Sequence, residues 1–214
     1  MAAVLAFGDS LTWGRDPVSG GRHALSDRWP TVLAAGLPGV EVIAEGLRGR
    51  MTAFDQTAGA ADMNGARILP VLLHSHAPLD LVIVMLGTND IYYGQMPERV
   101  GDGYVRIAEV IRGHGYRLDD YQPPVILFVA PPPIVIGADP RATDEMVDRS
   151  HRVTAFIREA AAEAQVAFFD AGIVAQSSPL DSTHMDVAAT RALGEALRPV
   201  VSGMLAARAA QGRG

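Results

Sequence analysis

The stretch "LVIVMLGTND", residues 81–90, sets the fold class. Leu81 to Leu86 form an unbroken apolar run with no polar alternation. A strand buried on both faces reads this way, and such strands belong to parallel sheets covered by helices. The run stops in Gly87-Thr88-Asn89-Asp90, a turn composition.

Outward from this run, "VLAF" (4–7), "VEVIAE" (40–45), "VILFVA" (125–130) and "VAFF" (166–169) read as four more strands. Helix-length amphipathic stretches lie between them. One covers roughly 28–36, with Ser26 or Asp27 available as cap, and another covers 98–113. In 143–164, Thr143 can cap, and Asp144 and Glu145 suit the positive end of the dipole. Met146, Ser150, Val153, Ile157, Ala160 and Ala164 fall on one face there. A last helix starts near Asp186 and carries Ala189, Leu193, Leu197, Val200 and Met204 at similar spacing. Pro199 inside it is expected to kink or divide it.

Strands alternating with helices give a three-layer α/β/α domain. One domain is expected to span residues 1–214, with a frayed tail from about 206. The stretches 14–26, 50–66 and 131–142 read as long loops that follow strands. That sheet edge is where open α/β folds bind ligands.

Composition excludes several classes of function. The net charge is −6 and the basic residues are scattered, which argues against nucleic acid as a partner. No apolar run reaches the roughly 18 residues of a membrane span. "MAAVLAFGDS" has no basic n-region, so a cytoplasmic protein is expected. The absence of cysteine removes disulfides, thiolate metal sites and a Cys nucleophile.

Four polar segments follow predicted strands: Gly8-Asp9-Ser10-Leu11, Gly46-Leu47-Arg48-Gly49, Gly87-Thr88-Asn89-Asp90 and Asp181-Ser182-Thr183-His184. Parallel strand ends lie side by side, so these segments can converge. A serine hydroxyl is a weak nucleophile until a base takes its proton, and His184 can be that base. Asp181, three residues earlier, can hold the histidine ring in one tautomer. Donors for a tetrahedral oxyanion are the Ser10 and Gly49 amides and the Asn89 side chain. Taken singly, each segment has a plainer reading: a strand-to-turn junction, packing glycines, or a helix start with an incidental histidine. The joint occurrence on one edge favours catalysis. A histidine ordinarily titrates near 6.5, so a rate that falls at acid pH is expected of a His base.

Trp13, Asp9 and Arg50 are the candidates for substrate binding around Ser10. Trp13 can wall an acyl pocket or simply pack. Asp9 and Arg50 also read as loop braces, Arg50 through an ion pair with Asp9 or Asp90. His74, His76 and Pro78 read as loop or structural residues before a strand. His23, His114 and His151 have no neighbouring ligand pattern, so no metal or cofactor is expected. "PPPIVIGADP" (131–140) reads as a lid or an oligomer contact, its Ile134, Val135 and Ile136 looking exposed and favouring contact with substrate or a partner subunit, with packing on their own domain as the alternative.

The four segments together resemble the sequence blocks of the GDSL, or SGNH, hydrolase family. Glu45 stands before Gly46 where many members carry Asn. "FGDSLTWG", "DRW", "EGLRGR" and "FFDAG" are further similar to its bacterial arylesterase and acyltransferase (perhydrolase) branch. The resemblance runs from about residue 4 to 198. It implies a flavodoxin-like five-stranded parallel sheet of order 2-1-3-4-5, with Ser10, Asp181 and His184 as triad. It also implies an oxyanion hole from Ser10, Gly49 and Asn89. A small acyl ester would be the substrate, and a homo-oligomer, tetramer or octamer, the assembly. The expected function is hydrolysis of short acetyl and aryl esters through an acyl-enzyme, with acyl transfer or perhydrolysis as a further capacity. Two alternatives stand beside it. One is a metal-dependent phosphoesterase using Asp9, Asn89, Asp90 and His184; the other is an inactive carbohydrate- or ester-binding module.

Overall fold

The computed structural model describes residues 1–56, 59–118 and 121–211. Five parallel strands, β1 (Ala2–Gly8), β2 (Val40–Gly46), β3 (Leu81–Met85), β4 (Val125–Ala130) and β5 (Ala167–Asp170), form one sheet of order β2-β1-β3-β4-β5. Helices cover both faces, as the apolar runs predict. The helices are α1 (Ser10–Trp13), α2 (Trp29–Ala35), α3 (Gly65–His76), α4 (Thr88–Tyr92), α5 (Pro97–Gly113), α6 (Asp144–Glu163) and α7 (Val187–Gln211). Among the described residues, no helix is long and apolar enough to cross a membrane.

Strand side chains alternate between two cores. Leu5, Phe7, Val82, Val84, Ile126 and Phe128 point to the side packed by α3, α5 and α6. Val4, Ala6, Leu81, Ile83, Leu127 and Val129 point to the side packed by α2 and α7. Each fully buried aliphatic side chain contributes about 1.5–3 kcal/mol, so this double alternation fixes the register. The register then places the site. Gly8 pairs with both Gly46 and Met85, so β1, β2 and β3 end level with one another. The Tyr104 hydroxyl, fully buried on α5, accepts from Leu86 N at 2.9 Å and lies 2.9 Å from Val129 O, joining the ends of β3 and β4.

Several local expectations are corrected. Neither Ser26 nor Asp27 caps α2: residues Leu25–Asp27 form a 3₁₀ turn, and Asp27 pairs with Arg191 at 2.9 Å. His74 and His76 lie in the last turn of α3, which Asn64 caps and whose Leu69 and Leu73 are buried. Pro70 inside that helix obscures its pattern in the sequence. Helix α7 runs undivided through Pro199 to Gln211. Near its end Arg208 bonds the Pro123 and Gln122 carbonyls and pairs with Asp80. Residues 212–214 of the expected tail lie outside the described residues. Ile134 is buried, not exposed, since Ser150 Oγ on α6 receives its amide at 3.0 Å; Ile136 is exposed.

Candidate active site

Strand β1 ends at Gly8 and the chain turns at once into the four-residue α1, whose first residue is Ser10. Asp9 caps it, its Oδ1 accepting from Leu11 N at 2.9 Å. Ser10 is thereby fixed at the level of the strand ends. Its hydroxyl lies 2.8 Å from His184 Nε2, although 174 residues separate them in the chain. His184 Nδ1 lies 2.7 Å from Asp181 Oδ2. The other Asp181 oxygen accepts from the Thr183 and His184 amides at 3.1 and 2.9 Å. One carboxylate therefore closes the turn and orients the ring. Burial alone would raise the Asp181 carboxyl, but the His184 bonds outweigh it and hold it at about 2. An ionised acceptor at Nδ1 keeps the proton on that nitrogen and leaves Nε2 free to accept from Ser10.

The turn is supported from its middle residue. Ser182 is fully buried with φ 68, a left-handed conformation uncommon outside glycine. Its Oγ accepts from Asp139 N at 3.2 Å and its carbonyl from Val135 N at 3.0 Å. The 131–142 loop is thus strapped to the His184 turn. His23, buried, bonds the Met185 carbonyl at 3.0 Å and holds the other side of that turn.

The other two segments end beside Ser10. Gly49 has φ 88, and a Cβ there would find no heavy atom nearer than 3.5 Å. Its glycine is required by conformation, which turns the loop toward the cavity. At Gly46 the requirement is packing, because a Cβ would sit 2.6 Å from Trp13 Cα. Asn89 Nδ2 donates to Asp9 Oδ2 and to the Arg50 carbonyl, each at 3.0 Å. Among the described residues, the Ser10 and Gly49 amides have no protein acceptor.

Arg50 is 3% exposed and forms neither expected ion pair. Its NH1 donates to the Gly8 carbonyl at 2.8 Å and to the Glu45 carbonyl, and its guanidinium lies 4.2 Å over the Phe7 ring. It caps strands β1 and β2. Asp90 accepts from Thr52 N and Thr52 Oγ1, the latter at 2.6 Å, and so grips the loop that carries Gly49. Burial pushes Asp9 and Asp90 up to about 6 each, against the lowering bonds they accept. The carboxylates of the metal alternative are thus engaged with backbone and side-chain donors. Among the described residues, no three His, Asp or Glu side chains converge.

Ser10, Gly49, Asn89, Asp181 and His184 open together into a cavity of about 580 Å³. That size is typical of small-molecule sites. Three sequence expectations are not among its walls. Asp9 and Arg50 lie beneath it as braces, and Trp13 stands between the Arg22 and Arg48 guanidiniums, each 4.8 Å from its ring. The walls that sequence reasoning missed include Arg15, Arg48, Tyr92 and Arg141. Tyr92 had a legible signal: it follows Asn89 by three positions on α4, hence on the same face. Its hydroxyl meets Thr183 Oγ1 at 2.5 Å, linking α4 to the His184 turn. The arginines had none, because only the folded loops turn them to the cavity.

A positioned hydroxyl, an oriented imidazole and free amides can together support nucleophilic attack on an acyl carbon. Comparison with known proteins points the same way. The family model for GDSL-like lipase/acylhydrolase matches residues 6–193. A carbohydrate acetylesterase family member from Sinorhizobium meliloti superposes with a TM-score of 0.92 at 43% identity, covering 96% of this chain and 100% of its own. A candidate arylesterase from Agrobacterium tumefaciens gives 0.90 at 47% identity, over 95% and 100%. The aryl esterase of M. smegmatis gives 0.88 at 35% identity, over 95% and 100%. No curated protein matches the chain. By the family model, and by the fold it shares with these structures, the chain belongs to the GDSL-like lipase/acylhydrolase family and is a carboxylic ester hydrolase.

Proposed function

We propose that the protein hydrolyses short acyl esters, acetyl and aryl esters among them, through an acyl-enzyme on Ser10. Ser10 Oγ attacks the ester carbonyl while His184 Nε2 takes its proton. The tetrahedral oxyanion rests on the Ser10 and Gly49 amides and on Asn89, which turns one N–H from its present acceptors to do so. Collapse expels the alcohol, which takes the proton back from His184. Water, activated by the same nitrogen, then adds to the acyl carbon and releases the acid and free Ser10. Asp181 stays ionised and stabilises the imidazolium at both stages.

The observation that carries this reading is the unbroken relay from Ser10 Oγ to His184 at 2.8 Å and on to Asp181 at 2.7 Å. The acetylesterase and aryl esterase named among the similar structures support the substrate class. An alcohol or a peroxide can replace water in the second half, which is the proposed acyltransferase and perhydrolase capacity. The decisive test is Ser10→Ala against 4-nitrophenyl acetate. Loss of all enzymatic hydrolysis is expected, together with loss of a covalent mass increment from a phosphonate probe that wild type acquires. Retained hydrolysis would overturn the reading. The same reading includes a tetramer or octamer in which partner subunits narrow the cavity mouth near the exposed Ile136 and Leu180; a monomer by light scattering would remove that part.

A further inference from the structure

The cavity above Ser10 is locally basic in a chain of net charge −6. Three arginines line it, from three different loops: Arg15 after α1, Arg48 after β2 and Arg141 after β4. Two carboxylates line it as well, and both are engaged. Asp181 is bonded to His184, and Asp139 is paired with Arg141 at 2.7 Å. Arg15 and Arg48 have no acidic partner among the described residues.

These two cations are not simply loose surface groups. Arg48 is held over the Trp13 ring at 4.8 Å, and Arg22 shares that ring at the same distance. Arg22 is itself fixed by a 2.7 Å bond to the Trp13 carbonyl. An isolated antiparallel bridge between Arg15 and Arg22 fixes the Arg15 backbone in turn. The Trp13 ring thus holds the Arg48 guanidinium, and the backbone bridge holds Arg15, at the wall of the cavity that Ser10 shares. An acyl group as small as acetyl occupies a minor part of 580 Å³, so most of the cavity, including its cationic wall, faces the leaving group. Guanidinium presents paired N–H donors that match the planar or tetrahedral oxygens of a carboxylate or phosphate.

We propose that the preferred substrates are esters whose alcohol portion carries an anionic group, and that Arg15 and Arg48 bind that group. The inference rests on the esterase reading above and adds the charge of the leaving group to it. Neither arginine touches the reacting atoms; both select by attraction in the Michaelis complex and in the transition state. Exposed ion pairs are each worth little, so a preference of about fivefold to tenfold is the expected scale for two of them.

The test compares kcat/KM for 4-acetoxybenzoate, 4-acetoxyphenyl phosphate and the neutral 4-acetoxybenzamide, each normalised to its hydrolysis by free imidazole. At low ionic strength wild type should favour the anions by about fivefold or more. The ratio between the two anions then measures how the cationic wall responds to a carboxylate and to a phosphate. Raising the salt to 0.5 M should remove most of the preference, since screening then acts within a few ångströms. The Arg15→Gln/Arg48→Gln double variant should lose the preference, read as the ratio of kcat/KM on each anion to that on the neutral ester. Equal or better hydrolysis of the neutral ester by wild type overturns the inference and leaves the esterase reading intact. A preference that survives both salt and the double variant also overturns it. If the double variant does not fold, the salt series on wild type decides alone. Inertness toward all three esters and 4-nitrophenyl acetate is the failure of the esterase reading itself.

Discussion

Asn89 Nδ2 donates to Asp9 Oδ2 at 3.0 Å, which ties the loop after β3 directly to the residue that caps the Ser10 helix. The carboxylate thus holds a proposed oxyanion donor in place while remaining outside the cavity. Asn89→Ala should lower kcat on aryl acetates by about 10²–10³, the usual cost of one oxyanion donor. Asp9→Ala should act in the same direction by about tenfold to a hundredfold, through misorientation of Asn89. KM should change less than threefold in both. Steady-state kinetics on folded variants check this, and a pure KM effect in Asp9→Ala would contradict it.

Asp181→Asn separates orientation from folding. The variant keeps an oxygen that can accept from the Thr183 and His184 amides, so the turn should survive. It loses the ionised acceptor at Nδ1, and His184 can then adopt the tautomer with its proton on Nε2. A loss of about 10⁴ in kcat is expected, with a melting temperature close to wild type. A variant that melts far lower would instead assign Asp181 a mainly structural part.

These two positions also mark how far the sequence was legible. The apolar runs mark all five strands within two residues at every end, because a strand buried on both faces leaves an unmistakable composition. Ser10, Gly49 and Asn89 were legible as candidates because they follow strands, and Asp181 and His184 by their spacing in the turn before α7; the structure brings the five to one cavity. The parts that the sequence hid depend on three-dimensional proximity. Arg50 serves backbone carbonyls at the ends of two strands, where charge pairing alone suggested Asp9 or Asp90. Trp13 is claimed by two arginines from other loops and so does not wall the cavity. Helix α3 was hidden by Pro70, whose cost is outweighed by burying Leu69 and Leu73.

The buried carboxylates predict an uncommon pH dependence of stability. Burial raises Asp9 from 3.8 to about 6 in the folded protein. The folded state therefore binds this proton more tightly than the unfolded chain, and the contribution of Asp9 to stability declines as pH rises from about 4 to 6. Asp181, lowered to about 2, acts oppositely and in another window: its contribution is present above 3.8 and fades below it. Comparison of wild type with Asp9→Asn isolates the first effect. At about 1.4 kcal/mol per pH unit, wild type should gain on the variant by about 2 kcal/mol between pH 7 and pH 4. Urea unfolding at the two pH values measures this, and a constant difference would refute the buried, proton-binding Asp9.

Gly46 and Gly49 lie three residues apart in one loop, yet substitution should harm them in different ways. A methyl at Gly46 would press on Trp13 backbone, 2.6 Å from its Cα, and backbone cannot yield as a flexible side chain can. Helix α1 would have to shift, and Ser10 with it. Gly46→Ala should therefore destabilise the protein by about 1–3 kcal/mol, the usual scale of overpacking, and should also lose activity. At Gly49 there is room for the methyl, whose nearest neighbour would be the Met63 sulfur at 3.5 Å. The cost there is conformational, about 1–2 kcal/mol for an L-residue held at φ 88. That strain can be relieved by rotating the loop, which turns the Gly49 amide away from the oxyanion position. Gly49→Ala should thus keep most of its thermal stability while kcat falls by a hundredfold or more. Melting curves and kinetics on the two variants, side by side, discriminate packing from donor placement: equal kcat losses at equal stability losses would show that both glycines serve packing alone.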